Sequence, residues 1–176
     1  IAEDGAVIQK FVAAGLAFFV STSFSKSFSL YGERVGALSV LCQSKEEADR
    51  VLSQLKIAIR TNYSNPPIHG GAVVAAVLNT PELRALWEKE LGEMRVRIKA
   101  MRSKLVDGLK AAGVKQDMSF MTEQIGMFSY SGLSKEQMLR LRSEFGVYGT
   151  DTGRICVAAL NSKNIDYVCQ AIAKVI

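Results

Sequence analysis

One lysine, Lys26, stands among small hydroxyl residues and aromatics in the stretch STSFSKSFSLYGERVG, positions 21–36. This stretch begins inside the run LAFFVSTS, whose continuous apolar character is typical of a strand buried on both faces of a parallel sheet. We therefore expect Lys26 at the end of a buried strand. Removal from water favours the neutral form of an amine, which attacks carbonyl groups, so the position suits Schiff-base chemistry.

The polar side chains near Lys26 suit a phosphate group. Arg34 lies eight residues further on, and Ser23 and Ser25 offer hydroxyl groups. A guanidinium with hydroxyl donors is a favourable set of ligands for a phosphate monoester. An amine that can bind an aldehyde and a set of ligands that can bind a phosphate together fit pyridoxal phosphate, which has both groups. This cofactor acts as an electron sink. The alternative is a surface lysine with an ion pair between Glu33 and Arg34.

The elements around this stretch alternate between helix and strand, which predicts an α/β architecture. VGALSVLC reads as a second buried strand, and the prolines of SNPP, positions 64–67, must interrupt a helix. Apolar periodicity predicts helices over Asp4–Ala14, about 45–60 and Gly70–Leu78.

A long helix is predicted from Thr80, the N-cap, and Pro81, the first helical residue, to Ala112. At about 1.5 Å per residue it would be nearly 50 Å long, more than one small domain needs. We therefore place a domain boundary inside it, with residues 1–93 in one domain and 94–176 in the other.

The remaining residues predict a small α+β domain. MFSYSG and GRICVAAL read as strands, and Ser134 with Gln137 forms a capping box for the helix KEQMLRLRSEF. A closing helix is predicted from Asn161 onward, with its apolar residues on one face.

Composition limits the classes of partner. The 176 residues are 48% apolar and carry a net charge of +5 without a run of five or more like charges, and no nucleic-acid-binding motif is present, so we expect no nucleic-acid partner. No apolar run approaches the roughly 20 residues that span a bilayer, and no metal-ligating pattern is found. Three scattered cysteines, Cys42, Cys156 and Cys169, predict buried thiols in a reducing, intracellular compartment. The chain begins without methionine and in mid-pattern, which predicts a piece of a longer protein.

Four motifs carry a family resemblance: SxSFSKxFxLYGERVG, IRTNYSNPPIHG, GMFSYSGLSKEQMLRLRSEFGVY and TGRICVAAL. In order and spacing, over nearly the whole chain, they resemble class I aminotransferases of the aspartate and aromatic amino acid type. The resemblance implies the C-terminal part of the large domain of a fold-type I pyridoxal-phosphate-dependent transferase, with a small α+β C-terminal domain joined by a long helix.

The resemblance also implies roles for individual residues. Lys26 matches the lysine that holds the cofactor as an internal aldimine and moves a proton between the substrate Cα and the cofactor C4′. Ser23, Ser25 and Arg34 match phosphate ligands. Arg154 matches the arginine that holds the substrate α-carboxylate, although a charge at this strand edge is more often simply solvated.

Three further residues match positions that contact substrate. Arg60 resembles the arginine that reaches into the neighbouring subunit to bind a side-chain carboxylate. Phe128 matches an aromatic at the substrate entrance, with a core phenylalanine as the alternative. Asn65 either shapes the site or forms a turn before two prolines. His69, the only histidine, is expected to be structural or peripheral.

By resemblance, the intact enzyme is a homodimer with shared active sites. It would transfer an amino group between an L-amino acid, aspartate and/or tyrosine and phenylalanine, and 2-oxoglutarate, in the cytoplasm, with a mitochondrial location left open. In the family, the aspartate that pairs with the pyridinium nitrogen precedes the lysine motif, so we expect the 176 residues alone to have little activity. The alternatives are a pyridoxal phosphate lyase on the same fold and a non-catalytic module that binds an anionic partner.

Overall fold

The computed structural model describes residues 2–176, which form helices and two small sheets. Their contacts separate two compact units, the first ending at Glu88 and the second beginning at Lys89. The domain boundary at 93/94 stays a prediction. In chain order the elements are α1 (Ala2–Ala13), β1 (Phe19–Ser23), β2 (Gly36–Val40), α2 (Lys45–Tyr63), α3 (His69–Asn79), α4 (Pro81–Ala111), β3 (Phe128–Tyr130), α5 (Lys135–Phe145), β4 (Arg154–Cys156) and α6 (Ile165–Val175), with 3₁₀ turns at Ser119–Met121 and Val157–Ala159.

The two strands of the first unit pair antiparallel, in a register that runs from Phe19 opposite Val40 to Ser23 opposite Gly36. The expectation of a parallel sheet is therefore wrong for this pair. A parallel connection needs a crossover, usually a helix, whereas the loop between β1 and β2 contains only turns. Expected burial on both faces is also not found within residues 2–176, where the pair forms a sheet of two strands and Phe19 is 68% exposed.

The helices begin and end where local chemistry requires. Ser44 caps α2 by accepting a hydrogen bond from the Glu47 backbone N–H, and α4 begins at Pro81, as expected. Gly15, just beyond α1, has a φ of +66°, a left-handed conformation that glycine adopts without strain.

The core of the second unit lies between α4, α5 and α6. Leu105, Leu109 and Leu141 are fully buried there, with Met138 and Ile172 nearly so. Burial of this apolar surface is the main force that holds the three helices together.

The predicted capping box of α5 is present, because Ser134 accepts from the Gln137 N–H while the Gln137 side chain accepts from the Ser134 N–H. The strand predicted from GRICVAAL is shorter than expected. It ends at Cys156 because the N–H groups of Val157 and Ala158 both donate to the Met127 carbonyl, which curls the chain into a 3₁₀ turn.

The three cysteines are free thiols, and only Cys169 is buried. Cys42 and Cys156 are half-buried, so the expectation of three buried thiols holds for one of them.

Candidate functional site

Lys26 lies in a tight turn directly after β1. The Phe28 N–H donates to the Phe24 carbonyl at 3.2 Å and the Ser29 N–H donates to the Lys26 carbonyl at 3.3 Å. Trp87, the only tryptophan, donates from its indole Nε1 to the Ser27 carbonyl at 2.6 Å. The turn is thus held at both ends by hydrogen bonds.

The Lys26 side chain is exposed, contrary to the expected buried position. Lys26 follows β1 beyond the end of the two-stranded sheet, and its side chain is exposed although its neighbour Ser25 is buried. Its Nζ lies 5.0 Å from the centroid of the Tyr31 ring, and the Arg34 guanidinium lies 5.7 Å from the same centroid. Two cationic side chains are therefore gathered around one aromatic ring.

An open depression of about 260 Å³ lies beside this turn. Its lining consists of Ser21, Thr22, Ser23, Ser25, Arg34, Val35 and Gly36. Ser25 is buried, and its N–H donates to the Ser23 Oγ at 3.3 Å. The lining contains hydroxyl groups and a guanidinium but no acidic side chain, which fits an anion with several oxygen acceptors.

Arg34 has a φ of +52°, an uncommon conformation for a residue other than glycine. Its Nη1 donates to the Tyr31 carbonyl at 3.1 Å, and among residues 2–176 it forms no ion pair with Glu33. The ion-pair alternative is therefore not supported. Strained backbone of this kind persists only where the surroundings fix it and is common at ligand sites.

Two glycines lie close against residues that line the depression. A Cβ on Gly36 would lie 2.6 Å from the Thr22 carbonyl oxygen, and a Cβ on Gly70 would lie 3.0 Å from the Val35 Cβ. Thr22 and Gly36 line the depression although sequence reasoning gave them no role. Their positions in the sequence could have indicated this, because both lie close along the chain to the predicted phosphate ligands.

In the second unit, Arg154 and Phe128 lie on neighbouring strands. β3 and β4 pair antiparallel with Tyr130 opposite Arg154 and Phe128 opposite Cys156, so Phe128 and Arg154 are diagonal neighbours on one face. The Arg154 guanidinium lies 4.9 Å from the Phe128 ring centroid, and Phe128 is 41% exposed. No carboxylate among residues 2–176 pairs with Arg154, so its charge is available to an anionic ligand.

The loop before Arg154 is fixed by backbone contacts. The Thr150 N–H donates to the Arg154 carbonyl at 3.0 Å, and the Arg154 N–H donates to the Thr150 Oγ1 at 3.1 Å. Gly153 has a φ of +84°, and a Cβ there would lie 2.8 Å from the Leu133 carbonyl oxygen. Only glycine fits this position without strain, and it sets the direction in which Arg154 leaves the loop.

Arg60 and Asn65 lie at the end of α2, and neither lines the depression. Arg60 is exposed in the last turn, where its carbonyl accepts from the Ser64 N–H at 3.2 Å. Asn65 is also exposed, and its N–H donates to the Tyr63 carbonyl at 2.9 Å, consistent with a turn-forming role. His69 is the first residue of α3.

Other kinds of site are not found in the part of the chain that the structure describes. No group of three or more His, Cys, Asp or Glu side chains could hold a metal ion. None of the helices within residues 2–176 combines the length and the apolar character needed to cross a bilayer.

A lysine beside a depression lined by hydroxyl groups and a guanidinium, in an α/β unit followed by a small α+β unit, is the arrangement to compare with known proteins. The chain belongs to the aminotransferase class I and II family, whose model matches residues 2–172. This membership confirms the family and the fold class that the motifs predict.

Individual relatives include both specificities that the motifs suggested. The chain is 61% identical to an aspartate aminotransferase of Pseudomonas aeruginosa over 176 residues, 100% of this chain and 44% of the relative. It is 53% identical to an aromatic-amino-acid aminotransferase of Escherichia coli, over 98% of this chain and 44% of the relative. The crystal structure of an aromatic-amino-acid aminotransferase from Burkholderia pseudomallei, covalently bound to pyridoxal phosphate, superposes with a TM-score of 0.95 at 67% identity, over 99% of this chain and 44% of that one. The chain thus spans less than half the length of these relatives.

Proposed function

We propose that this chain is part of a pyridoxal-phosphate-dependent aminotransferase acting on aspartate, aromatic amino acids or both, with 2-oxoglutarate as the amino acceptor. The observation that carries the proposal is the depression lined by Ser23, Ser25 and Arg34 next to Lys26. Family membership and the cofactor-bound relative support the same cofactor.

The residues of the depression would hold the phosphate of the cofactor. The Ser25 hydroxyl group and the Arg34 guanidinium offer a neutral and a charged donor, and charge-assisted hydrogen bonds to phosphate are the stronger kind. Lys26 Nζ, close to Arg34 through the shared Tyr31 ring, would hold the aldehyde end. When bound, pyridoxal phosphate supplies an electron sink for the electron pair left at the substrate Cα.

Lys26 would also move the proton. The Lys26 amine would take a proton from the substrate Cα and deliver it to C4′ of the cofactor, and its exposed position on the turn leaves room for that movement. The turn itself stays fixed because Trp87 holds the Ser27 carbonyl.

Arg154 would bind the substrate α-carboxylate, because its guanidinium is exposed and a planar fork matches a carboxylate in two-point contact. Phe128 would limit the motion of this guanidinium through a cation–π contact. Arg60 would bind a side-chain carboxylate from across a homodimer interface, with Asn65 beside it. Residues outside this chain would be required, so the 176 residues alone would have little activity. The cytoplasmic location stays a prediction.

The test uses the full-length enzyme that contains this chain, incubated with pyridoxal phosphate. We expect a visible absorbance band that borohydride removes, and formation of 2-oxo acids from aspartate, tyrosine or phenylalanine with 2-oxoglutarate. Lys26→Ala should abolish the band and lower the turnover by at least about 100-fold, the effect typical of losing a general base. Lys56→Ala, an exposed lysine on α2, is the matched control and should change neither.

Other outcomes would select the alternatives. Cofactor binding with release of a product but no amino transfer would favour a lyase. A wild-type protein that shows no band at saturating pyridoxal phosphate would contradict the proposal and favour a non-catalytic module.

A further inference from the structure

The second unit contains a buried guanidinium for which the proposed function has given no role. Arg102 on α4 is only 3% exposed. Its Nε donates to the Ser129 Oγ at 3.1 Å, and its Nη2 donates to the Gly126 carbonyl at 2.7 Å and to the Phe128 carbonyl at 3.4 Å. These three acceptors lie at β3 or just before it.

No carboxylate among residues 2–176 neutralises this charge. Burial lowers the pKa of Arg102 from its usual range, since removal from water disfavours the charged form. A buried charge is costly, and an apolar side chain of similar size would often be neutral or stabilising in its place. Packing therefore does not explain an arginine at this position, whereas its three hydrogen bonds to the segment 126–129 do.

The strand that Arg102 holds carries one half of the proposed carboxylate site. Phe128, whose carbonyl accepts from Arg102, places its ring 4.9 Å from the Arg154 guanidinium. A second arginine of α4, Arg97, donates to the carbonyls of Leu160 at 2.8 Å and Ala158 at 2.6 Å, just after β4. One helix thus fixes the backbone on both sides of the pair formed by Phe128 and Arg154.

We propose that Arg102 is a positioning residue: by holding the backbone from Gly126 to Ser129, it sets the place of β3 and keeps Phe128 and Arg154 aligned to receive the substrate carboxylate. This inference rests on the proposed function. Arg102 does not touch substrate in this scheme, so its effect must depend on whether the substrate carries an α-carboxylate.

The experiment compares two substrates in single turnovers of the full-length enzyme loaded with pyridoxal phosphate. Phenylalanine carries the α-carboxylate and phenethylamine is the same molecule without it, so the ratio of their second-order rate constants measures the carboxylate site alone. Misplacing a binding group by about 1 Å costs up to about 100-fold. We therefore expect Arg102→Met to lower the ratio of the phenylalanine to the phenethylamine rate constant by about 10- to 100-fold. The rate constant for phenylalanine should fall, while the rate constant for phenethylamine and the visible cofactor band stay unchanged.

Two variants complete the series. Arg102→Lys keeps the charge but cannot reproduce the planar fork, so its ratio should fall between those of wild type and Arg102→Met. Arg95→Met removes an exposed arginine from the same helix and should leave the ratio unchanged.

The outcomes that contradict this inference differ from those that contradict the proposed function. An unchanged ratio in Arg102→Met, or an equal loss with both substrates, would reduce Arg102 to a purely structural residue. If Arg102→Met does not fold, Arg102→Lys and Ser129→Ala, which removes only the Nε acceptor, decide by the same ratio. A wild-type enzyme that binds the cofactor but does not discriminate between the two substrates would instead contradict the proposed role of Arg154, and one without the cofactor band would contradict the proposed function itself.

Discussion

Replacing Gly36 by alanine would place a methyl group against the backbone of the neighbouring strand. The new Cβ would lie 2.6 Å from the Thr22 carbonyl oxygen, where ordinary contact begins at 3.4 Å. The obstacle is backbone and cannot rotate away as a side chain could. The two strands must therefore separate by about 0.8 Å, the difference between these two distances, at the pair formed by Ser23 and Gly36.

This displacement falls on the lining of the depression. Thr22 and Ser23 line it from β1, Gly36 lines it from β2, and Arg34 lines it from the loop between the two strands. Overpacking of this kind costs about 1–3 kcal/mol of stability. A shift approaching 1 Å in a binding group can cost up to about 100-fold, so we expect pyridoxal phosphate to bind Gly36→Ala about 10- to 100-fold more weakly. The assay is a titration of the full-length apoenzyme with the cofactor, followed by visible absorbance, with thermal unfolding of the apoenzyme in parallel.

Gly32→Ala is the matched control, because it makes the same chemical change in the loop that leads into β2, where a Cβ meets nothing within 4 Å. It should bind the cofactor as the wild type does. If Gly36→Ala binds as tightly as Gly32→Ala, the spacing of β1 and β2 does not set the phosphate contacts, and the assignment of the depression as the phosphate site fails.

Two further predictions concern the supports of each unit. Trp87→Phe keeps a ring that can stack on Phe28 but loses the indole donor to the Ser27 carbonyl. We therefore expect the free energy of unfolding in urea to fall by about 1 kcal/mol and the cofactor band to weaken. An unchanged band would show that Trp87 does not hold the Lys26 turn. Burial, with a smaller contribution from Asp166, raises the pKa of the Cys169 thiol from 9.0 to about 11. As pH rises above 9.0 the unfolded chain loses this proton first, so the free energy of unfolding should fall by about 2 kcal/mol by pH 11. Cys169→Ala should lose that part of the pH dependence, and an unaltered slope from pH 8 to 11 in urea titrations would contradict the assignment.

Elements whose limits depend on local chemistry could be predicted from the sequence. Pro81 begins α4 and the pair Ser134 and Gln137 caps α5, because these signals act within one helical turn. The direction of the β1 and β2 pairing could not be read in the same way. An apolar run shows that a strand can be buried but carries no information on its partner, and here the partner is antiparallel and both strands are largely exposed.

In the candidate site, too, the features set by local sequence could be predicted and those set by strand pairing could not. Ser23, Ser25 and Arg34 could be grouped from the sequence because they flank one short loop, and the structure places them around one depression. The close approach of Gly36 to Thr22 could not, since it follows from the pairing register of two strands, and no local signal in the sequence predicts the left-handed backbone of Arg34. Burial of Lys26 was wrong for a related reason: it depends on what covers the turn, which the local sequence does not contain.

Arg102 is different, because the pattern that would have identified it was present in the sequence. It follows Ile98 by four residues and precedes Leu105 and Leu109 by three and seven, the spacing that places all four on one face of a helix. Leu105 and Leu109 are fully buried, so this face is the core face of α4, and a charge there must find its partners inside the protein. Arg102 finds them in backbone carbonyls rather than in a carboxylate. A cation on an apolar helical face with no acidic partner nearby therefore predicts a residue that fixes another segment of backbone, and in this chain that segment leads to Phe128 and Arg154.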